Sequence, residues 1–189
     1  MRQNIYAIHA CDFTCNILVE DTKSPFYRQL YIIKIKSLPD KDVRHFFRRR
    51  FQLCTYNVSD EVIDKLIILT HSIPDYIQRL GLIANRISKN ITEDVIEQAY
   101  EDMLIELDIE FRETLSKLNQ RYGIYGTILT GLCRYTSFSD VGRSIGYDLS
   151  KSMRQIAYLQ KVGLIEKTRR GRYEISDPIL QDWLKRSFM

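Results

Sequence analysis

Leu149-Ser-Lys-Ser-Met-Arg-Gln-Ile-Ala-Tyr-Leu-Gln-Lys-Val162 is the stretch whose reading decides the fold. Leu149, Met153, Ile156, Leu159 and Val162 recur at helical spacing and predict one buried face. Lys151, Arg154, Gln155 and Tyr158 fall on a second, polar face at i, i+3, i+4 and i+7. Gly163 stops the helix. Beyond it, Leu164-Ile-Glu-Lys167, Thr168-Arg-Arg-Gly171 and Arg172-Tyr-Glu-Ile175 read as strand, tight basic turn and strand. Two shorter helices are predicted upstream, at Thr127–Cys133 and Ser139–Ile145. Three helices followed by a basic hairpin is the order of a winged helix-turn-helix, expected here over residues 120–189.

Working backwards, the next signals are helical. Thr92 caps a long helix running to about Leu118, whose exterior carries Glu93, Asp94, Glu97, Glu101 and Asp102. Pro74 opens a helix to Ile87 with Tyr76, Ile77, Leu80 and Ile83 as its core side. Ser59 caps another through Thr70, with Val62, Ile63, Leu66, Ile67 and Leu69 apolar. Pro39-Asp40 starts the first, with Val43, Phe46, Phe47 and Phe51 inward and Arg44 and Arg48 to Arg50 outward. These four predict a helical bundle over residues 38–119, with a boundary near Asn119–Gly123. Ahead of them, Asn4–Ala10 and Leu30–Lys36 are β-prone runs, and two strands are too few for a stable sheet. Residues 1–37 therefore either pair with something else or are the remnant of a larger α/β fold, and the whole chain reads as mainly α within an α+β class.

The chain has 189 residues, 44% hydrophobic and 28% charged, enough to bury a core. No run approaches the roughly 18 apolar residues of a membrane span, and Met1–Ala10 lacks a secretory leader. A cytoplasmic protein without a membrane partner is expected. Cys11, Cys15, Cys54 and Cys133 form no Cys-x-x-Cys pair, so no metal site is expected. The net charge of +4 is unevenly spread. Met1–Val58 carries ten basic and five acidic residues, and Asp148–Met189 nine and five, whereas Thr92–Lys117 has nine acidic and two basic. Clustered cations at the two ends suit polyanions and the middle does not.

Signatures of self-contained catalysis are missing. Gly126-Thr-Ile-Leu-Thr-Gly131 has phosphate-loop glycine spacing, but Leu132-Cys133 stands where Lys-Ser/Thr is needed. Tyr6–Asp12 resembles an apolar strand ending in an acid, with no second acid after it. His9, His45 and His71 are scattered. The chain is not expected to be catalytic alone.

Ser24-Pro-Phe-Tyr-Arg28, the following strand, Leu38-Pro39, the Phe-rich helix and Thr70-His-Ser-Ile-Pro-Asp-Tyr-Ile-Gln78 resemble archaeal ATPases of the AAA+-related, signal-transduction (STAND) type. Tyr158–Lys167 and Gly171–Trp183 are similar to that family's winged helix. The resemblance implies the C-terminal half of a P-loop ATPase: a nucleotide-domain remnant, a helical lid and a winged helix, without the Walker A and B segments. ATP and magnesium are implied only by the family and a missing nucleotide-binding half: the chain reads as a C-terminal fragment or degenerate relative, or as half of a split ATPase whose phosphate loop a separate chain supplies. The lid motif usually reads Gly-x-Pro; here Ser72-Ile73-Pro74 replaces the Gly, and Ile73 and Pro74 are the implied nucleotide-side residues. Arg28 sits where relatives can place an arginine finger toward a neighbouring nucleotide. For duplex DNA the candidates are Lys151, Arg154 and Gln155 on the third helix and Arg169, Arg170 and Arg172 at the wing. The rival reading is a protein-interaction module whose winged helix packs on a nucleotide-binding domain.

Overall fold

The computed structural model describes residues 37–53, 58–147 and 153–189. The expected α/β remnant at residues 1–37, with Arg28, lies outside the described residues except for Ser37, and so does Lys151. The described chain divides into two compact units, one of residues 37–122 with Pro178–Ser187, the other Gly123–Asp177 with Phe188–Met189.

The first unit is helical. Its elements are α1 (Asp40–Leu53), α2 (Asp60–Thr70), α3 (Pro74–Ile87), α4 (Glu93–Tyr122) and, from the end of the chain, α8 (Pro178–Phe188). Thr92 Oγ1 accepts from the Val95 amide at 3.4 Å and opens α4. At 30 residues α4 is about 45 Å long. Ile96, Ala99, Tyr100, Met103, Leu104, Leu107, Phe111, Leu115 and Leu118 give it a buried stripe along that length. α2 and α3 pack against α4, and α1 packs on α2. Val43, Phe47 and Phe51 are the buried side of α1. Phe46, expected inward, is 37% exposed, because Val43, Phe47 and Phe51 already fill the stripe facing α2. Its ring meets Phe47 edge-on at 5.5 Å and carries the Arg50 guanidinium over it.

Two residues at the α2–α3 turn, His71 and Ser72, have positive φ of 49° and 57°. Ser72 thus adopts the left-handed conformation that a glycine takes without cost. It is held there. Its hydroxyl donates to Asp40 Oδ1 at 2.7 Å, and its carbonyl accepts from the Leu38 amide at 2.8 Å.

The C-terminal helix departs from expectation. Instead of closing the 120–189 region, α8 buries Ile179, Leu180, Trp183 and Leu184 in the helical unit. Its polar side chains complete the attachment to α4. Tyr100 donates to Asp182 at 2.8 Å, the Trp183 indole to Asp108 at 3.0 Å, and Arg186 to both Glu101 oxygens at 2.6 Å. An acidic α4 recruits a helix that ends in Lys185 and Arg186. The acidic exterior of α4 is accordingly more than a solvated face, with Lys65 on Glu97, Arg86 on Glu106 and Arg79 on Glu110.

The second unit has α5 (Tyr125–Arg134), α6 (Phe138–Ser144), α7 (Met153–Lys161), β1 (Ile165–Arg169) and β2 (Arg172–Ile175). The glycines that mimic a phosphate loop lie at α5, where Gly131 serves packing: a Cβ there would fall 2.6 Å from Val141 Cγ1 on α6. α5 also packs on β2, and α7 on β1. Ile128, Leu129, Val141, Ile156, Leu159, Val162, Ile165 and Ile175 make the core. The two strands pair antiparallel, Ile165 opposite Ile175. Residues 136–138 add a short third edge. Tyr173 donates to the Thr136 carbonyl at 2.9 Å, Phe138 to the Gly171 carbonyl at 3.2 Å, and Ser137 bridges Arg172.

Candidate nucleic-acid interface

On β2, strand alternation turns Arg172 outward. Ile165 on β1 and Tyr173 and Ile175 on β2 turn inward, and the Tyr173 ring meets Phe138 edge-on at 4.8 Å. The remaining side chains of both strands are exposed. Gly171, at φ +73°, turns the chain, and the pairing slips by one residue between Lys167 and Arg169. A tight turn closed by a bulge has this form. It leaves Arg169 paired opposite Arg172, with Arg170 between them in the turn.

Like charges directly opposite on a ladder oppose folding by about 0.2–1 kcal/mol. Among the described residues Arg154, Arg169, Arg170 and Arg172 have no acidic partner. Several arginines of the helical unit differ: Arg44 pairs with Asp64, Arg48 with Asp60, Arg79 with Asp75, Arg112 with Asp108 and Arg186 with Glu101. Three exposed guanidiniums within four residues, uncompensated, form a site that an anion with several oxygens would satisfy.

On α7 the expected polar face separates. Arg154 is exposed, as are Met153, Ala157 and Lys161, which share its side. Met153, expected inward, is 56% exposed, and the buried stripe is Ile156, Leu159 and Val162. With that stripe inward, 100° steps turn Gln155 and Tyr158 toward its edges. Gln155 is half-buried, its Oε1 enclosed without a hydrogen-bond partner. The Tyr158 ring lies 5.4 Å from that of Tyr125. Gln155 is therefore not displayed beside Arg154 as expected. Lys161 takes the place on that face. Its spacing of seven from Arg154, with the small Ala157 between, was the signal for it.

Ile73 and Pro74 stand at the start of α3, Ile73 as its N-cap and Pro74 as its first residue, both half-buried. Among the described residues no group of three or more His, Cys, Asp or Glu side chains is assembled to hold a metal ion. Cys133 is a half-buried thiol.

No protein family matches this chain, and no curated protein does. A helical unit with a helix-and-hairpin unit following its longest helix gives the chain an archaeal ATPase-like fold. A solved chain that carries this likeness is the Walker-type ATPase paby2304 of Pyrococcus abyssi, with a TM-score of 0.72 and 19% sequence identity. The match covers 91% of this chain and 49% of the ATPase, so this chain spans about half the ATPase's length.

Proposed function

We propose that residues 123–177 are a winged helix-turn-helix that binds duplex DNA, and that it is the output end of an ATPase of the AAA+/STAND type. Element order supports the winged-helix reading: helix, short edge strand, helix, helix, then a hairpin whose second strand pairs with that edge. The observation that carries DNA binding is the tip, where Arg169, Arg170 and Arg172 remain without acidic partners at a cost to folding. Arg154 and Lys161, with Lys151 outside the described residues, supply the third-helix face. Gln155 drops out as a base-reading group while its carbonyl oxygen stays enclosed.

The nucleotide part rests on the fold likeness and on the resemblance. ATP and magnesium would need a phosphate loop and acids from a separate chain. Ile73 and Pro74 would face the nucleotide from the lid and Arg28 would act across an interface.

A mobility assay across a salt series tests the DNA reading. Arg169/Arg170/Arg172→Ala should bind duplex more weakly, with a log K against log salt slope shallower by up to about three units. Equal binding by variant and parent would remove the wing from the interface. Parent protein that binds no duplex even at low salt would favour the protein-interaction module.

A further inference from the structure

The outward face of the hairpin carries two rows of side chains of opposite charge. Arg172 and Glu174 alternate with the inward Tyr173 and Ile175 on β2, so they share that face. Their partners on β1 are Arg169 and Glu166. Directly opposed residues project from the same side, so an arginine row lies at the tip and a glutamate row nearer the root. Lys167, opposite Tyr173, belongs to the other face. Residues 136–138 lengthen the arginine row. The Tyr173 amide donates to the Thr136 carbonyl and the Phe138 amide to the Gly171 carbonyl. That pattern makes Ser137 and Arg172 a non-hydrogen-bonded pair, the kind whose side chains stand closest. Ser137 is the N-cap of α6, yet its hydroxyl does not cap that helix. It meets the Ser139 hydroxyl at 2.7 Å, and two hydroxyls sharing one bond leave one O–H for an outside acceptor.

The row Ser137, Arg172 and Arg169 crosses the 136–138 edge, β2 and β1 over about 10 Å and presents donors throughout. On β2 the glutamate row lies two residues away, about 7 Å along the strand. Glu166 and Glu174 are exposed and have no basic partner among the described residues. At about 7 Å each carboxylate lies within the screening length of 0.1 M salt, so a phosphate held at the tip feels both. A phosphate moved toward the root would meet two carboxylates directly opposite each other. The face therefore accepts an anionic backbone across the strands at the tip and resists one lying along them.

We infer that Glu166 and Glu174 are specificity-determining residues of the DNA interface. They bar the phosphate backbone from the root of the hairpin and confine it to the row Ser137, Arg172 and Arg169, so that the strand crosses the hairpin at its tip. The inference rests on the DNA-binding reading above, and one experiment separates their fates. The full chain is titrated with a fluorescent duplex across a salt series in five forms. These are the parent, Glu166/Glu174→Gln, Arg169/Arg170/Arg172→Ala, those two sets combined, and Ser137/Ser139→Ala. The glutamine variant should bind about three- to tenfold more tightly near 0.1 M salt, as two nearby repulsions are removed. The combined variant should bind no better than the arginine variant, because without the arginines no phosphate is held beside the acids. The serine variant should bind about threefold more weakly than the parent, through the loss of one hydrogen bond to phosphate.

Equal binding by the glutamine variant and the parent, with the arginine variant still weakened, overturns the confinement and leaves the hairpin reading standing. The same gain with and without the arginines would also overturn it, reducing the two glutamates to a contribution to net charge. Parent-like binding by the serine variant removes Ser137 from the row. No binding by the parent at low salt sinks the inference together with the DNA reading.

Discussion

Ser72 holds a conformation that its own side chain disfavours. A left-handed φ costs an L residue about 1–2 kcal/mol, and a buried hydrogen bond to a charged acceptor returns a comparable amount. The two effects can be separated by substitution. Ser72→Ala keeps the backbone cost and loses the bond to Asp40, so it should destabilise the chain by about 1–2 kcal/mol. Ser72→Gly loses the same bond but relieves the backbone, and should unfold at a urea midpoint above that of Ser72→Ala. Equal midpoints would mean that the positive φ is not strained. The resemblance puts a glycine at this position, and the backbone geometry explains why: the turn demands positive φ whichever residue occupies it. Nothing in Thr70-His-Ser-Ile-Pro74 announces that demand locally. It arises where Leu38 and Asp40 meet the turn from another part of the chain.

At the scale of an element, α8 shows how charge pattern and tertiary choice interact. Its attachment to α4 is titratable at both extremes. Burial, and then the hydrogen bond to Asp182, hold the Tyr100 phenol well above its usual range. Its contribution is complete below about pH 10, where an unfolded tyrosine ionises, and is lost as pH rises toward the raised value. The Asp108 carboxyl is held low by the Arg112 guanidinium and the Trp183 indole. Its contribution is present above about pH 4 and is lost as pH falls below it. Trp183 is the sole tryptophan, so its emission follows both transitions. Tyr100→Phe should remove an alkaline component that begins near pH 10. An unchanged titration in that variant would show that α8 docking does not depend on the phenol. The helix boundaries themselves were legible. Pro74 and Thr92 start α3 and α4 as their residue types require, and the apolar spacing gives the core of both. The partner of α8 was not legible. An amphipathic helix shows that it has an apolar face and not which surface will cover it.

Over the whole molecule, the likeness to a Walker-type ATPase extends across nearly all of this chain and half of that one. If a phosphate loop must come from elsewhere, the purified chain should show no ATP turnover by phosphate release. Addition of a phosphate-loop chain, first the product of the reading frame just upstream, should produce it. Turnover by the purified chain alone would overturn the division.

Several features were set by the sequence itself, through period and composition. These are the helical spans from Asp40 to Ile87, the long acidic α4, the three short helices and the basic turn at Thr168–Gly171. Each depends on neighbours within a few residues, where backbone sterics, caps and 3.6-residue spacing act. Other features required distant segments to meet. Phe46 and Met153 turn outward because other apolar side chains already fill the stripes expected to include them. Residues 136–138 gain an edge only when β2 arrives beside them, and α8 joins the helical unit because α4 offers it acidic partners. The third helix was recognisable from its period, but one turn of azimuth decided whether Gln155 or Lys161 would stand beside Arg154. That choice belongs to packing, because a shift of a single 100° step exchanges a surface position for an enclosed one.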